Sequence, residues 1–150
     1  MSRFATPLLC AVVVLLGCVH VLLLPRDEQA RLSYDALRYL AGAESLLAEG
    51  KYLDVDGRPQ QVWPVGTSLL YAALAKVSGA APMSLVGLID IVAYLITAIA
   101  CIVIASATRM RAPIAVMFVA AVMCNGVVLS MHNKLWSDPL ALALLAALFA

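Results

Sequence analysis

Long apolar blocks alternate with short polar ones along this chain, and the blocks have the length of membrane-crossing helices. Residues 4–24 carry no charge and follow Arg3, and residues 80–108 carry only Asp90. Residues 112–131 and 139–150 carry none. A helix needs about 20 apolar residues to cross a hydrocarbon core of ~30 Å. The pattern predicts an all-α integral membrane protein, a multi-span helical bundle with spans at about 4–24, 82–107, 112–131 and 139–150. The fourth reaches only about 18 Å at ~1.5 Å per residue. A chain ending there would leave carbonyls unpaired in lipid. The sequence is therefore expected to be the N-terminal transmembrane region of a longer protein.

Polar pattern organises the rest. Residues 33–50, SYDALRYLAGAESLLAEG, have helical period, with Gly50 as the stop. Asp35, Arg38, Gly42, Ser45 and Glu49 form one stripe; Leu37, Leu40, Ala41, Leu47 and Ala48 gather on the other side. Such a helix beside a membrane lies in the interface with its apolar face down. In KYLDVDGRPQQVW, Asp56-Gly57 is a turn signal between two short extended runs. Trp63-Pro64 then leads into Gly66-Thr67-Ser68, a helix start. Residues 67–78 are too short to span and contain Lys76, so they are expected along the surface. Asp138-Pro139 suits the N-cap and first position of a helix.

Composition removes the soluble alternative. The chain is 64% hydrophobic and 13% charged, with a mean hydropathy of +0.98, against an apolar share near half in soluble domains. Ten basic residues against nine acidic ones give a net charge of +1, and no basic cluster suggests nucleic acid.

Placement of the basic residues sets the orientation. Arg3 precedes the first span, and Arg109 and Arg111 fill the link between the second and third. The positive-inside rule puts both on the cytoplasmic side, so the outer loops 25–81 and 132–138 share the non-cytoplasmic face. The expected location is a bacterial plasma membrane with the N-terminus inside. Leu15-Leu16-Gly17-Cys18 looks like a lipoprotein cleavage box, but the apolar run continues to Leu24, so a retained signal anchor is the better account. Cys10, Cys18, Cys101 and Cys124 all sit in expected spans without metal or redox spacing, as small apolar fillers. Asp90 lies inside a span, with Asn125 at a similar depth in the next, His20 near the outer end of the first and Tyr94 one turn away. Such a carboxylate either holds spans together or marks a site.

Asp35 in the first turn of its helix and Asp138 before Pro139 each have a structural role open to them, as a helix-end carboxylate and an N-cap. Together with their neighbours they resemble the GT-C glycosyltransferases, multi-span enzymes using polyprenyl-phosphate sugars, and most closely the protein mannosyltransferase and lipid A aminoarabinose transferase branch. That branch has an acidic residue in the first outer loop, then a D-x-x-R-Y-like pattern and a helix ending near Gly. Asp35, Arg38, Tyr39 and Gly50 match in order. A P-x-G segment opening a surface helix is matched by Pro64 and Gly66, and an acidic residue before Pro at a span start by Asp138-Pro139. Some members have a basic residue before the first of these prolines, where this chain has Trp63.

The resemblance implies an inverting transfer of a sugar from a polyprenyl-phosphate donor to a hydroxyl acceptor (a glycan, lipid or protein) on the non-cytoplasmic side. It implies Asp35 as general base and Asp138 as its partner in orienting the acceptor. Arg38, Tyr39, Arg58, Trp63, Gly66 and Lys134 are the expected substrate-binding residues. Arg58, Lys134, Arg38 or the helix-start N–H groups near Gly66 would meet the leaving phosphate. No resident cofactor is implied, and a divalent cation is compatible with this chemistry. The rival class is a non-catalytic multi-span protein or a transporter fragment. A transporter should gather its ionisable residues at mid-membrane or at internal repeats; here the acidic residues gather in outer loops and no repeat is visible.

Overall fold

In a computed structural model, the residues described are 34–125, Val128 and 138–150 (138–140 by backbone alone), with Leu8, Ala11, Val12, Leu15, Leu16, Gly17 and Val19 of the N-terminal segment. The described residues are all-helical, without a strand. The helices are α1 (Tyr34–Glu49), α2 (Val65–Ser78), α3 (Val86–Ala107), α4 (Ala112–Met123) and α5 (Asp138–Phe149), with a 3-10 turn at Pro82–Leu85 leading into α3. They divide into two units within α3, between Ile89 and Asp90.

The unit of residues 34–89 is built on the α1–α2 pair. Helix α1 ends where the sequence puts its stop: Gly50 has φ 66° and its N–H donates to the Leu46 carbonyl at 3.1 Å. A left-handed residue there costs glycine nothing and satisfies an otherwise orphaned carbonyl. Ala36, Tyr39, Leu40 and Ala43 recur at helical spacing and are buried. Leu37 and Leu47 are exposed, and so is Ala48.

Helix α2 starts at Val65, after an extended Pro64, with no side-chain cap. Thr67 and Ser68, expected to open the helix, are therefore buried in its interior. Ser68 Oγ donates to the Tyr39 carbonyl of α1 at 2.9 Å. The contact is close because Gly42 faces it: a Cβ there would come within 2.4 Å of the Tyr52 ring and 2.8 Å of Ser68 Oγ. The expected outward stripe of α1 is thus partly a packing face. Lys76 is exposed in the last turn of α2, as a surface helix requires.

Between the helices, residues 50–64 form a small hairpin. Leu53 and Pro59 make an antiparallel bridge, and the Asp54 N–H donates to the Arg58 carbonyl at 2.8 Å. Ser45 of α1 anchors it, its Oγ accepting the Leu53 N–H at 3.0 Å. Two short runs around Asp56-Gly57 are what the turn signal predicts.

The other unit holds residues 90–125 and 138–150 with the described N-terminal residues. Tyr94, Ala98, Cys101 and Ala105 of α3 and Ala115, Val119 and Met123 of α4 make one buried cluster, with Leu16 against it. Small residues at such spacing let apolar helices approach closely. The link between α3 and α4 is a tight turn with Arg109 at φ 54° and both Arg109 and Arg111 exposed. Asp90, Tyr94 and Thr97 are buried on one stripe of α3, while Leu88, Val92, Ile96 and Ile99 are exposed.

Among the described residues one helix, Pro82–Ala107, is long and apolar enough to cross a membrane. The seven described residues of segment 4–24 are helical. Helix α4 closes at Met123, where the Cys124 N–H turns back to the Ala120 carbonyl; Asn125-Gly126 follows in the sequence, a helix-breaking dipeptide, and Val128, within the expected span to 131, is again helical. Asn125 is consequently exposed just beyond the helix, whereas Asp90 is buried. His20 lies outside the described residues.

Candidate functional site

Helical spacing puts Asp35 and Arg38 one turn apart on α1, on the side that meets residues 50–64. Trp63, at the end of that segment, receives both. Its indole Nε1–H donates to Asp35 Oδ1 at 3.2 Å. The Arg38 guanidinium lies over its ring at 4.7 Å and over the Tyr34 ring at 4.4 Å. Tyr34 meets Trp63 edge-on, with centroids 6.2 Å apart and planes at 73°. Arg38 also donates to the Tyr34 hydroxyl. Each cation–π contact is worth about 0.5–1 kcal/mol when exposed and ~2 when desolvated. Tyr52 secures the backbone beneath this group by donating from its hydroxyl to the Trp63 carbonyl at 3.1 Å.

Among the described residues no ion pair joins Asp35 to Arg38, although their spacing would permit one. The carboxylate takes a neutral donor and the cation takes aromatic faces. Asp35 Oδ1 is engaged, and Oδ2 has no hydrogen bond among the described residues. Arg38 Nε is buried without a partner. Leaving a charged donor so is expensive unless a ligand completes it.

Arg38 also borders an open cleft of about 400 Å³, lined with Asp54, Arg58, Pro59, Gln60, Gln61 and Val62. Gln60 Nε2 is a second buried donor without a partner. Asp54 Oδ1 accepts the N–H groups of Asp56 and Arg58, both at 2.9 Å. The Arg58 N–H above all holds the Asp54 carboxyl below the usual carboxylate range, helped by the Asp56 N–H and the charges of Arg38 and Arg58 and opposed by desolvation. Asp54 is thereby committed to the hairpin. The cleft keeps two guanidinium groups and an amide for an acceptor-rich ligand.

The other expected site residues fare differently. Tyr39 is buried between α1 and α2, a core residue whose carbonyl receives Ser68. Gly66 is exposed in the first turn of α2, with open space beside it, where first-turn N–H groups lack intrahelical partners. Asp138 is the first residue of α5, in the other unit, and its side chain lies outside the described residues, as does Lys134. Tyr34, Asp54 and Gln60 escaped sequence reasoning. Asp54 left a signal, an Asx-type residue two before Asp56-Gly57; Gln60 left none. Among the described residues no three His, Cys, Asp or Glu side chains gather to hold a metal ion.

No protein-family model, curated protein or solved structure matches this chain.

Proposed function

We propose that this chain is the N-terminal part of a multi-span membrane glycosyltransferase of the GT-C kind, acting on the non-cytoplasmic face of a plasma membrane. The supporting observation is the group around Trp63. It holds a half-buried carboxylate with one oxygen outside the Trp63 bond, one helical turn from Arg38. Arg38 borders a cleft that Asp35 itself does not line, and Arg38 and Gln60 there retain unused donors. Transfer from a polyprenyl-phosphate sugar requires a base and an anion receptor, and Arg38, one turn from Asp35, links the two.

In this mechanism Asp35 Oδ2 takes the proton of the acceptor hydroxyl as its oxygen attacks the anomeric carbon from the face opposite the phosphate. The carbon–oxygen bond to phosphate breaks, its electron pair leaves with the polyprenyl phosphate, and the sugar is inverted. Arg38 and Arg58 meet the charge developing on the leaving group.

Asp35→Asn in the full-length protein keeps the shape and the Trp63 contact but removes the proton acceptor. Transfer is expected to fall by about 10²-fold or more, the usual scale for a lost general base, with donor binding little changed. Near-normal turnover by a correctly inserted variant excludes Asp35 from the mechanism.

A second reading, a non-catalytic multi-span protein or transporter fragment, draws on Asp90, a carboxylate buried inside the single membrane-length helix among the described residues. It leaves the unused donors of the outer cleft without a role.

A further inference from the structure

We infer that Trp63 is a positioning residue that keeps Asp35 and Arg38 from neutralising each other. The inference rests on the function proposed above. An aspartate and an arginine three residues apart on a helix are surface neighbours and pair readily. Here the two opposite charges, one turn apart, are both turned to one indole: the carboxylate to its N–H, the guanidinium to its face. The two contacts use different parts of Trp63, so the ring acts as a divider. Tyr34 closes the other side of Arg38, by its ring and its hydroxyl.

The consequence is chemical. A bidentate pair would occupy the guanidinium edge and cover the carboxylate oxygens. With each charge turned to a different part of the indole, Arg38, whose Nε is unpartnered, borders the cleft, and Asp35 Oδ2 has no hydrogen bond among the described residues. Among the described residues, the other charges that border the cleft, Asp54 and Arg58, are on the hairpin. Asp54 is engaged by two backbone N–H groups, and Arg58 is exposed, so neither substitutes for the divider.

Four variants of the full-length protein in lipid nanodiscs test this, with binding of a prenyl monophosphate as the readout. Trp63→Ala should let Arg38 fold back onto Asp35 and weaken binding about tenfold or more. Adding Asp35→Asn to Trp63→Ala removes the carboxylate that captures the arginine, so binding should recover to within about threefold of the parent while sugar transfer stays lost. Trp63→Leu, which refills the volume without N–H or π face, should show the same loss and the same rescue. A residue that merely holds the segment in place gives no rescue, because Asp35→Asn repairs no packing. Undiminished binding in Trp63→Ala, or a loss that Asp35→Asn leaves untouched, overturns the inference and leaves the proposed function standing. A full-length parent protein that neither binds the prenyl phosphate nor transfers sugar overturns both.

Discussion

At the scale of single residues, Gly42 decides how closely α1 and α2 approach. Glycine inside a helix costs up to about 1 kcal/mol relative to alanine, so its presence calls for a compensating reason. That reason is steric: an added methyl meets the Tyr52 ring and Ser68 Oγ. Neither gives way freely, since Tyr52 is tied by its hydroxyl to the Trp63 carbonyl and Ser68 by its own to Tyr39. Gly42→Ala should therefore destabilise despite its gain in helix propensity, by a net ~1–2 kcal/mol on the scale of an overpacked core. The lower midpoint should be visible in thermal unfolding of the purified protein. An unchanged or raised midpoint refutes the steric account. The same contact carries a functional cost, because Tyr52 also supports the backbone of Trp63.

Among the elements, the hairpin of residues 53–59 depends most on a single ionised group. Asp54 Oδ1 gathers the N–H groups of Asp56 and Arg58, and its carboxyl is held below the usual range. A carboxyl depressed on folding lends stability above its unfolded value, near 3.9, and that stability is lost as pH falls through the lower folded value. Amide protection at Asp56 and Arg58 should thus hold from neutral pH down to about 5 and decline below about 4. Asp54→Asn should weaken protection already at neutral pH and abolish the acid step. Hydrogen exchange corrected for intrinsic rates reads both. Protection that is flat with pH in the parent chain would mean the turn is held by its backbone bonds alone. The cleft shares that fate, being lined by Asp54, Arg58, Pro59 and Gln60.

At the scale of the whole molecule, topology decides which face carries the cleft. One described helix has membrane-crossing length and apolarity; the proposed multi-span arrangement rests on the apolar blocks and the placement of Arg3, Arg109 and Arg111. With Cys10, Cys18, Cys101 and Cys124 replaced, an impermeant thiol reagent added outside intact cells should label Gln61→Cys and Asn133→Cys and spare Thr108→Cys. Labelling at 108 makes residues 67–78 a crossing and reverses the outer face. Much of this protein was legible one residue at a time, because its signals are local. Gly50 ends α1, Asp56-Gly57 turns the hairpin, Lys76 marks a surface helix and the arginines mark the α3–α4 turn; each needs only its neighbours and the choice between water and lipid. The extent of α4 was not legible from hydrophobicity alone, since the apolar run hides the break at Cys124 and Asn125. Asp35, Arg38 and Trp63 could be named from the sequence, but their association could not. Trp63 stands 28 residues beyond Asp35, and only the folded hairpin carries its indole back to α1. Nor does the sequence say whether an aspartate and an arginine one turn apart pair with each other or with a third group. Hydrophobic pattern and turn chemistry are properties of short segments, whereas a divided charge pair and a buried unsatisfied donor exist only once distant segments have packed.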